Sequence, residues 1–225
     1  MATSLDLQEQ EQLEDLKAFW KQYGNLITWL LILVFGALAA WNGWNLYQRK
    51  QSEKAAELYE QLERAAQGGD ATLVGKAFSD LRDRFPRTVQ AQQGGLVAAK
   101  VQFDKGQADG ARSSLAWLAD NAQQDEYKTV ARLRLAALLA EQQQYDAALK
   151  QLDGATAPEF GGLVADRRGD ILMAQGKKDE AKAAYQASFK ALDDTVEYRR
   201  LVEAKLTALG AAPAASAAAS AKVAQ

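Results

Sequence analysis

The sequence predicts an all-α protein in which a single N-terminal transmembrane helix is followed by an α-solenoid of stacked helical hairpins. Three observations predict it. The stretch from Leu26 to Tyr47, LITWLLILVFGALAAWNGWNLY, carries no charged side chain. From Ser52 onward helical patterns alternate with short polar loops, and no segment shows the apolar–polar alternation of a half-buried strand. Four turn residues, Gly69, Gly106, Gln143 and Gly176, recur at spacings of 37, 37 and 33 residues, a period that marks a repeat array.

Composition narrows the function. Among the 225 residues, Lys and Arg number 27 against 29 Asp and Glu, a formal net charge of -2. No concentrated basic face marks a nucleic-acid partner. The chain has no Cys and no His. Thiolate chemistry, disulfides, Cys acylation, His-based acid–base catalysis and nearly every transition-metal site are thereby excluded. No catalytic residue, cofactor site or metal site is expected.

Residues 1–24 form a polar, acidic N-terminal tail carrying Asp6, Glu9, Glu11, Glu14 and Asp15. Leu13, Leu16 and Trp20 recur at helical spacing, so this tail reads either as a short helix on the membrane or a partner, or as a lead into the span.

Residues 25–47 are the expected transmembrane helix, anchored in the lipid bilayer. From Leu26 to Trp44 a helix runs roughly 28 Å, close to the ~30 Å hydrocarbon core of a bilayer. Trp29 near one end and Trp41, Trp44 and Tyr47 at the other are amphipathic rings suited to the two interfaces. Gly36 with Ala40, and Ala39 with Gly43, are small residues four apart that let two such helices approach closely. Ala37-Leu38-Ala39 also fits a signal-peptidase site, which would leave a secreted soluble protein. The long acidic segment before the run is unlike the short basic start of a signal peptide, and an uncleaved anchor is the reading adopted.

Residues 48–209 are read as the repeat domain. Three positions after the turn marks come Asp109, Asp146 and Asp179, suited to a helix N-terminus as caps. Five after come Ala111, Ala148 and Ala181; nine after, Phe78, Leu115, Leu152 and Tyr185. Seven before the last three marks come Ala99, Ala136 and Gly169, small enough for helices to cross closely. Each unit is therefore a helical hairpin of about 34 residues, which resembles the tetratricopeptide repeat. The first unit departs from the pattern, with Leu62 at the small position and Val74 where Ala stands elsewhere, but carries Phe78, Leu81 and Pro86. Tyr198 to Leu209 reads as a terminal helix that seals the last apolar face. Residues 210–225, GAAPAASAAASAKVAQ, lack large apolar side chains and are expected to be disordered.

Two stretches carry a more specific resemblance, LEDLKAFWKQYGNLI running into the span and RRGDILMAQGKKDEAKAAYQ in the last hairpin. In this order and spacing, over roughly residues 8–209, the chain resembles the YfgM-like ancillary subunit of the bacterial Sec translocon. The resemblance implies a single-pass inner-membrane protein with a tetratricopeptide-repeat-like domain in the periplasm. As partners it implies the Sec translocon channel, a membrane-anchored periplasmic chaperone of the prolyl-isomerase type, and exported client proteins. Flanking charges point the other way. Lys17 and Lys21 precede the span, whereas Arg49, Lys50, Lys54 and Arg64 follow it, and the positive-inside rule alone would face the repeats to the cytoplasm as an adaptor there.

The first helices of such repeats line the inner face of the solenoid. Here they carry Lys100, Arg132, Arg134, Arg167 and Arg168, a candidate basic groove for an acidic or extended partner, or simply solvated arginines. Asp170, beside Gly169, is read as a helix-surface or packing polar residue.

Overall fold

Proline, which breaks helices, occurs only at positions 86, 158 and 213. The stretch from 7 to 67 contains none, and it forms one helix. The computed structural model describes residues 7–212, with side chains from Gln12 onward. Asp6, Glu9 and Glu11, and the tail beyond Ala212 that was expected to be disordered, lie outside the described side chains.

Helix α1 runs Leu7–Gln67. It is followed by α2 (Ala71–Arg84), α3 (Val89–Asp104), α4 (Ala108–Asn121), α5 (Asp125–Glu141) and α6 (Tyr145–Asp153). A 3-10 turn, Pro158–Phe160, leads into α7 (Gly161–Ala174), α8 (Lys178–Ala191) and α9 (Tyr198–Ala208). No strand occurs among the described residues. The contacts divide the chain into two units, residues 1–51 and 52–225.

In the first unit α1 exposes its apolar side chains on every side. Leu26, Trp29, Leu33, Phe35, Leu38 and Trp41 are each more than half exposed. Such a helix has no polar face to give to water.

The second unit is the solenoid. The last turns of α1 pack on α2 through Ala55, Leu62, Val74 and Phe78, and α3 pairs with α4, α5 with α6 and α7 with α8. All four register marks have positive φ: 68° at Gly69, 76° at Gly106, 60° at Gln143 and 78° at Gly176. Each ends its helix in the same way. At Gly106, for example, the Gly106 N–H donates to the Phe103 carbonyl at 2.9 Å and the Gln107 N–H to the Gln102 carbonyl at 2.8 Å. This pair of bonds closes a Schellman turn, which needs a left-handed residue at its hinge. The recurrence of glycine in the sequence is thus the recurrence of one backbone conformation. Gly210, with φ 68° and the same bonds to Thr207 and Leu206, makes a fifth turn. It lies 34 residues after Gly176, so α9 occupies the place of a first helix in the next unit of the register.

The Asp series departs from expectation. Asp109, Asp146 and Asp179 lie in the first turns of α4, α6 and α8, where they meet the positive end of the helix dipole. The N-cap positions are Gln107, Gln144 and Lys177, without side-chain caps. The reason is geometric: the N-cap residue immediately follows the left-handed hinge, which puts the aspartate two positions too late to cap. Asp70 and Thr88 are true caps, Asp70 accepting from the Thr72 and Leu73 N–H groups at 3.0 Å each and Thr88 from Ala91 at 3.3 Å.

The small residues sit where helices cross. Ala99 and Ala136 are buried. A Cβ on Gly169 would collide with the Tyr185 ring, and one on Gly95 would lie 2.9 Å from the Leu118 side chain. Leu62, Leu81, Leu118, Leu152 and Ile171 are fully buried between the layers, each worth roughly 1.5–3 kcal/mol. Leu62 replaces a small residue because it packs with Val74, Phe78 and Leu81 in a cluster of larger side chains.

Buried polar side chains fix one hairpin on the next. The Gln92 side-chain oxygen accepts from the Gln123 and Gln124 N–H groups at 2.9 and 3.3 Å. Thr129 Oγ1 accepts from the Ala157 N–H at 3.1 Å. Both stand 14 residues before their register mark, so the same device joins successive hairpins.

Candidate partner-binding site

Two surfaces are open to partners. The first is the apolar run on α1. Trp29, Trp41, Trp44 and Tyr47 are all more than half exposed, and the Trp44 and Tyr47 rings lie 6.1 Å apart. Nothing lies within 4 Å of a Cβ built on Gly36 or Gly43, and Ala40 is exposed. The Thr28 hydroxyl donates to the Gly24 carbonyl at 2.7 Å, so this polar group is satisfied within the helix. Among the described residues this is the one helix long and apolar enough to cross a membrane.

The second surface lies on the solenoid. Of the five basic residues singled out there, Lys100 and Arg134 border one hollow of about 300 Å³ between α3, α4 and α5. Its floor is Ala99, Ala111, Leu115, Ala137 and Leu138. Phe103, 45% exposed, forms one wall, and Glu141 closes an end. Lys100 is paired with Asp104 on its own helix. Arg134 donates to the Leu96 carbonyl at 3.5 Å, the outer limit of a hydrogen bond.

Arg132 is turned elsewhere. It donates to the Ala119 carbonyl at 3.1 Å and to Gln151 at 3.4 Å, and packs close to Gly154. Arg168 pairs with Asp153 of α6 at 2.7 Å. Arg167 is half-buried on α7, near Tyr198. The basic residues therefore do not form one groove: two border the hollow, and Arg132 and Arg168 bind the second helices of the hairpins.

Sequence reasoning did not find the walls of the hollow, Phe103 and Glu141. It also read Asp170 only as a helix-surface or packing polar residue. Asp170 belongs to a half-buried cluster that fastens α9. Lys205 Nζ donates to both Asp166 oxygens at 2.8 Å and to Asp170 at 2.6 Å. Tyr198 OH donates to Asp166 at 2.5 Å and Tyr185 OH to Asp170 at 2.8 Å. Burial raises both phenols above their ordinary range, and the neighbouring carboxylates raise them further. Each carboxylate has its donors and the lysine is fully engaged, so the cluster is structural. The signal was available in the i, i+4 spacing of Asp166 and Asp170 and the i, i+7 spacing of Tyr198 and Lys205.

A sequence profile of the tetratricopeptide repeat-like domain matches residues 17–211. A Neisseria gonorrhoeae protein named ancillary SecYEG translocon subunit is 31% identical over 207 residues, 90% of this chain and 98% of that protein. An Escherichia coli protein of the same name is 29% identical over 204 residues, covering 89% and 96%. One from Haemophilus influenzae is 26% identical over 180 residues, covering 80% and 88%.

Proposed function

The chain belongs to the tetratricopeptide repeat-like family of ancillary translocon subunits, and from that premise we propose that it is a membrane-anchored scaffold of the SecYEG translocon. In this reading the apolar run of α1 crosses the inner membrane once and the hairpins stand in the periplasm. There they link the channel to a membrane-anchored chaperone of the prolyl-isomerase type and help exported proteins pass to it. The role is that of an adaptor, not an enzyme.

One observation carries the reading. The 61-residue helix α1 bears an apolar run exposed all round and also contributes the first helix of the first hairpin. A bilayer satisfies the first part, since an α-helix bonds its own backbone groups. The solenoid supplies the second, because stacked hairpins present an extended surface for partners. Lys and Arg flanking the run oppose this orientation only mildly, and a large domain translocates largely regardless of flanking charge.

Photo-crosslinking side chains placed along the run at Trp29, Gly36 and Trp41, and on the solenoid at Phe103, test the assignment in cells. Capture of channel subunits from the run is the expected result. Capture of neither channel nor chaperone subunits from any position would overturn it.

A further inference from the structure

We propose that the hollow between α3 and α5 is a docking site for one large apolar side chain on a partner segment that carries a carboxylate beside it, with Arg134 selecting that carboxylate. The inference rests on the reading that the repeat domain binds partners, and says where and by what chemistry.

The walls of the hollow do not recur at the next junction. Shifted by one repeat, Phe103 becomes Ala140, Lys100 becomes Ala137 and Glu141 becomes Ala174. The corresponding place between α5 and α7 therefore has methyl groups where this one has walls. At about 300 Å³ it has room for a side chain and lies at the low end for a small-molecule site. Alanine methyls and two leucines make its floor, so nothing there rewards a polar occupant. Phe103 at the edge is 45% exposed, and an apolar insertion would cover it.

Charge decides what flanks the apolar anchor. Lys100 is already held by Asp104. No carboxylate lies within 4.0 Å of Arg134 among the described residues, and its sole hydrogen bond there is the long one to Leu96. Its guanidinium fork is therefore open to a bidentate acceptor. Glu141 lies two turns farther along α5, about 10 Å away, and repels acid at that end. A partner carboxylate is accordingly directed to Arg134.

The test uses the full chain in detergent micelles with carbon-13 alanine methyls. Two acetylated nonapeptides serve as probes, one centred on Leu-Phe-Glu-Glu and the other on Leu-Phe-Lys-Lys. The acidic probe is expected to shift the Ala99, Ala111 and Ala137 methyls. The basic probe is expected to bind about ten-fold more weakly, the factor that one charge-assisted hydrogen bond supplies. Arg134→Glu reverses the preference, and Ala137→Phe, which fills the hollow, abolishes both shifts; unchanged circular dichroism confirms that each variant folds. Equal binding of the two probes, an unaltered preference in Arg134→Glu, or shifts confined to other methyls would overturn the proposal. Should that happen while the run on α1 still crosslinks to channel subunits, the docking site is wrong and the anchored scaffold stands. Loss of those crosslinks in the unaltered chain defeats the scaffold reading itself.

Discussion

Lys205 and Asp166 are 39 residues apart in sequence and meet at 2.8 Å, joining α9 to α7. Asp166 is 1% exposed, and a buried carboxylate of this kind is tolerable only when it is paired and hydrogen-bonded. Helix α9 thus puts a lysine where Leu138 and Ile171 stand in the preceding units, and α7 answers it with two acids. Apolar contacts complete the seal, with Val202 and Leu206 buried against Leu172, Ala181 and Tyr185.

Removing the lysine leaves that acid without its cation. Lys205→Met is expected to destabilise the domain by about 3 kcal/mol, the usual consequence of breaking one side of a buried pair. Hydrogen exchange would show the loss first in α9 and α8. Exchange rates there equal to those of the unaltered chain would contradict the structural role of the pair.

The same cluster sets an alkaline limit. Tyr185 and Tyr198 have their phenol pKa values raised in the folded state, by burial first and by their carboxylate acceptors second. Asp166 and Asp170 of α7 favour the neutral phenols, and Lys205 faces both acids. A group whose folded pKa lies above its unfolded value contributes stability that is complete below the unfolded value, near 10, and lost as pH rises through the folded one. The cap is therefore expected to hold constant up to pH 9 and to loosen in stronger alkali. Phenolate absorbance is expected to include a late-titrating component that shrinks in Tyr198→Phe. A late component unchanged in both Tyr185→Phe and Tyr198→Phe would contradict this.

Gln143 is the one non-glycine hinge among the left-handed turns, at φ 60°. An L-residue there costs about 1 kcal/mol relative to glycine. Gln143→Gly is expected to stabilise the domain by that amount, and Gly106→Ala to destabilise it by about as much. Denaturant titration of the two variants would read opposite shifts in midpoint.

Close approach makes a sharper contrast. Gly169→Ala drives a methyl into the Tyr185 ring and is expected to cost about 1–3 kcal/mol through overpacking. Gly36→Ala places its methyl where nothing lies within 4 Å, and the domain's unfolding midpoint is expected to stay put.

Much of the fold was legible in the sequence because each unit needs one left-handed hinge and one close crossing, and few residues satisfy either. Gly69, Gly106 and Gly176 announced the hinges; Ala99, Ala136 and Gly169 announced the crossings. Gln143 was found only through its period. What stayed hidden depends on where side chains turn. Arg132 and Arg134 are two residues apart, yet one binds the Ala119 carbonyl and the other borders the hollow, since positions i and i+2 lie on different sides of a helix. The pairing of Lys205 with Asp166 left only a trace, the spacing of Asp166 and Asp170, because a charge in α9 reads as a solvated face until its neighbours are placed. Gly210 carried a readable signal, a further step of the period.

The most direct measurement uses the absence of cysteine. Ser216→Cys gives the chain a single thiol beyond α9. Intact cells are treated with a maleimide that passes the outer membrane and not the inner one, and their membranes are then extracted with alkaline carbonate. Labelling in intact cells, with the labelled chain retained in the membrane, is the result an inner-membrane anchor with periplasmic repeats predicts. Labelling only after lysis, or labelling of a chain that carbonate releases, would contradict it.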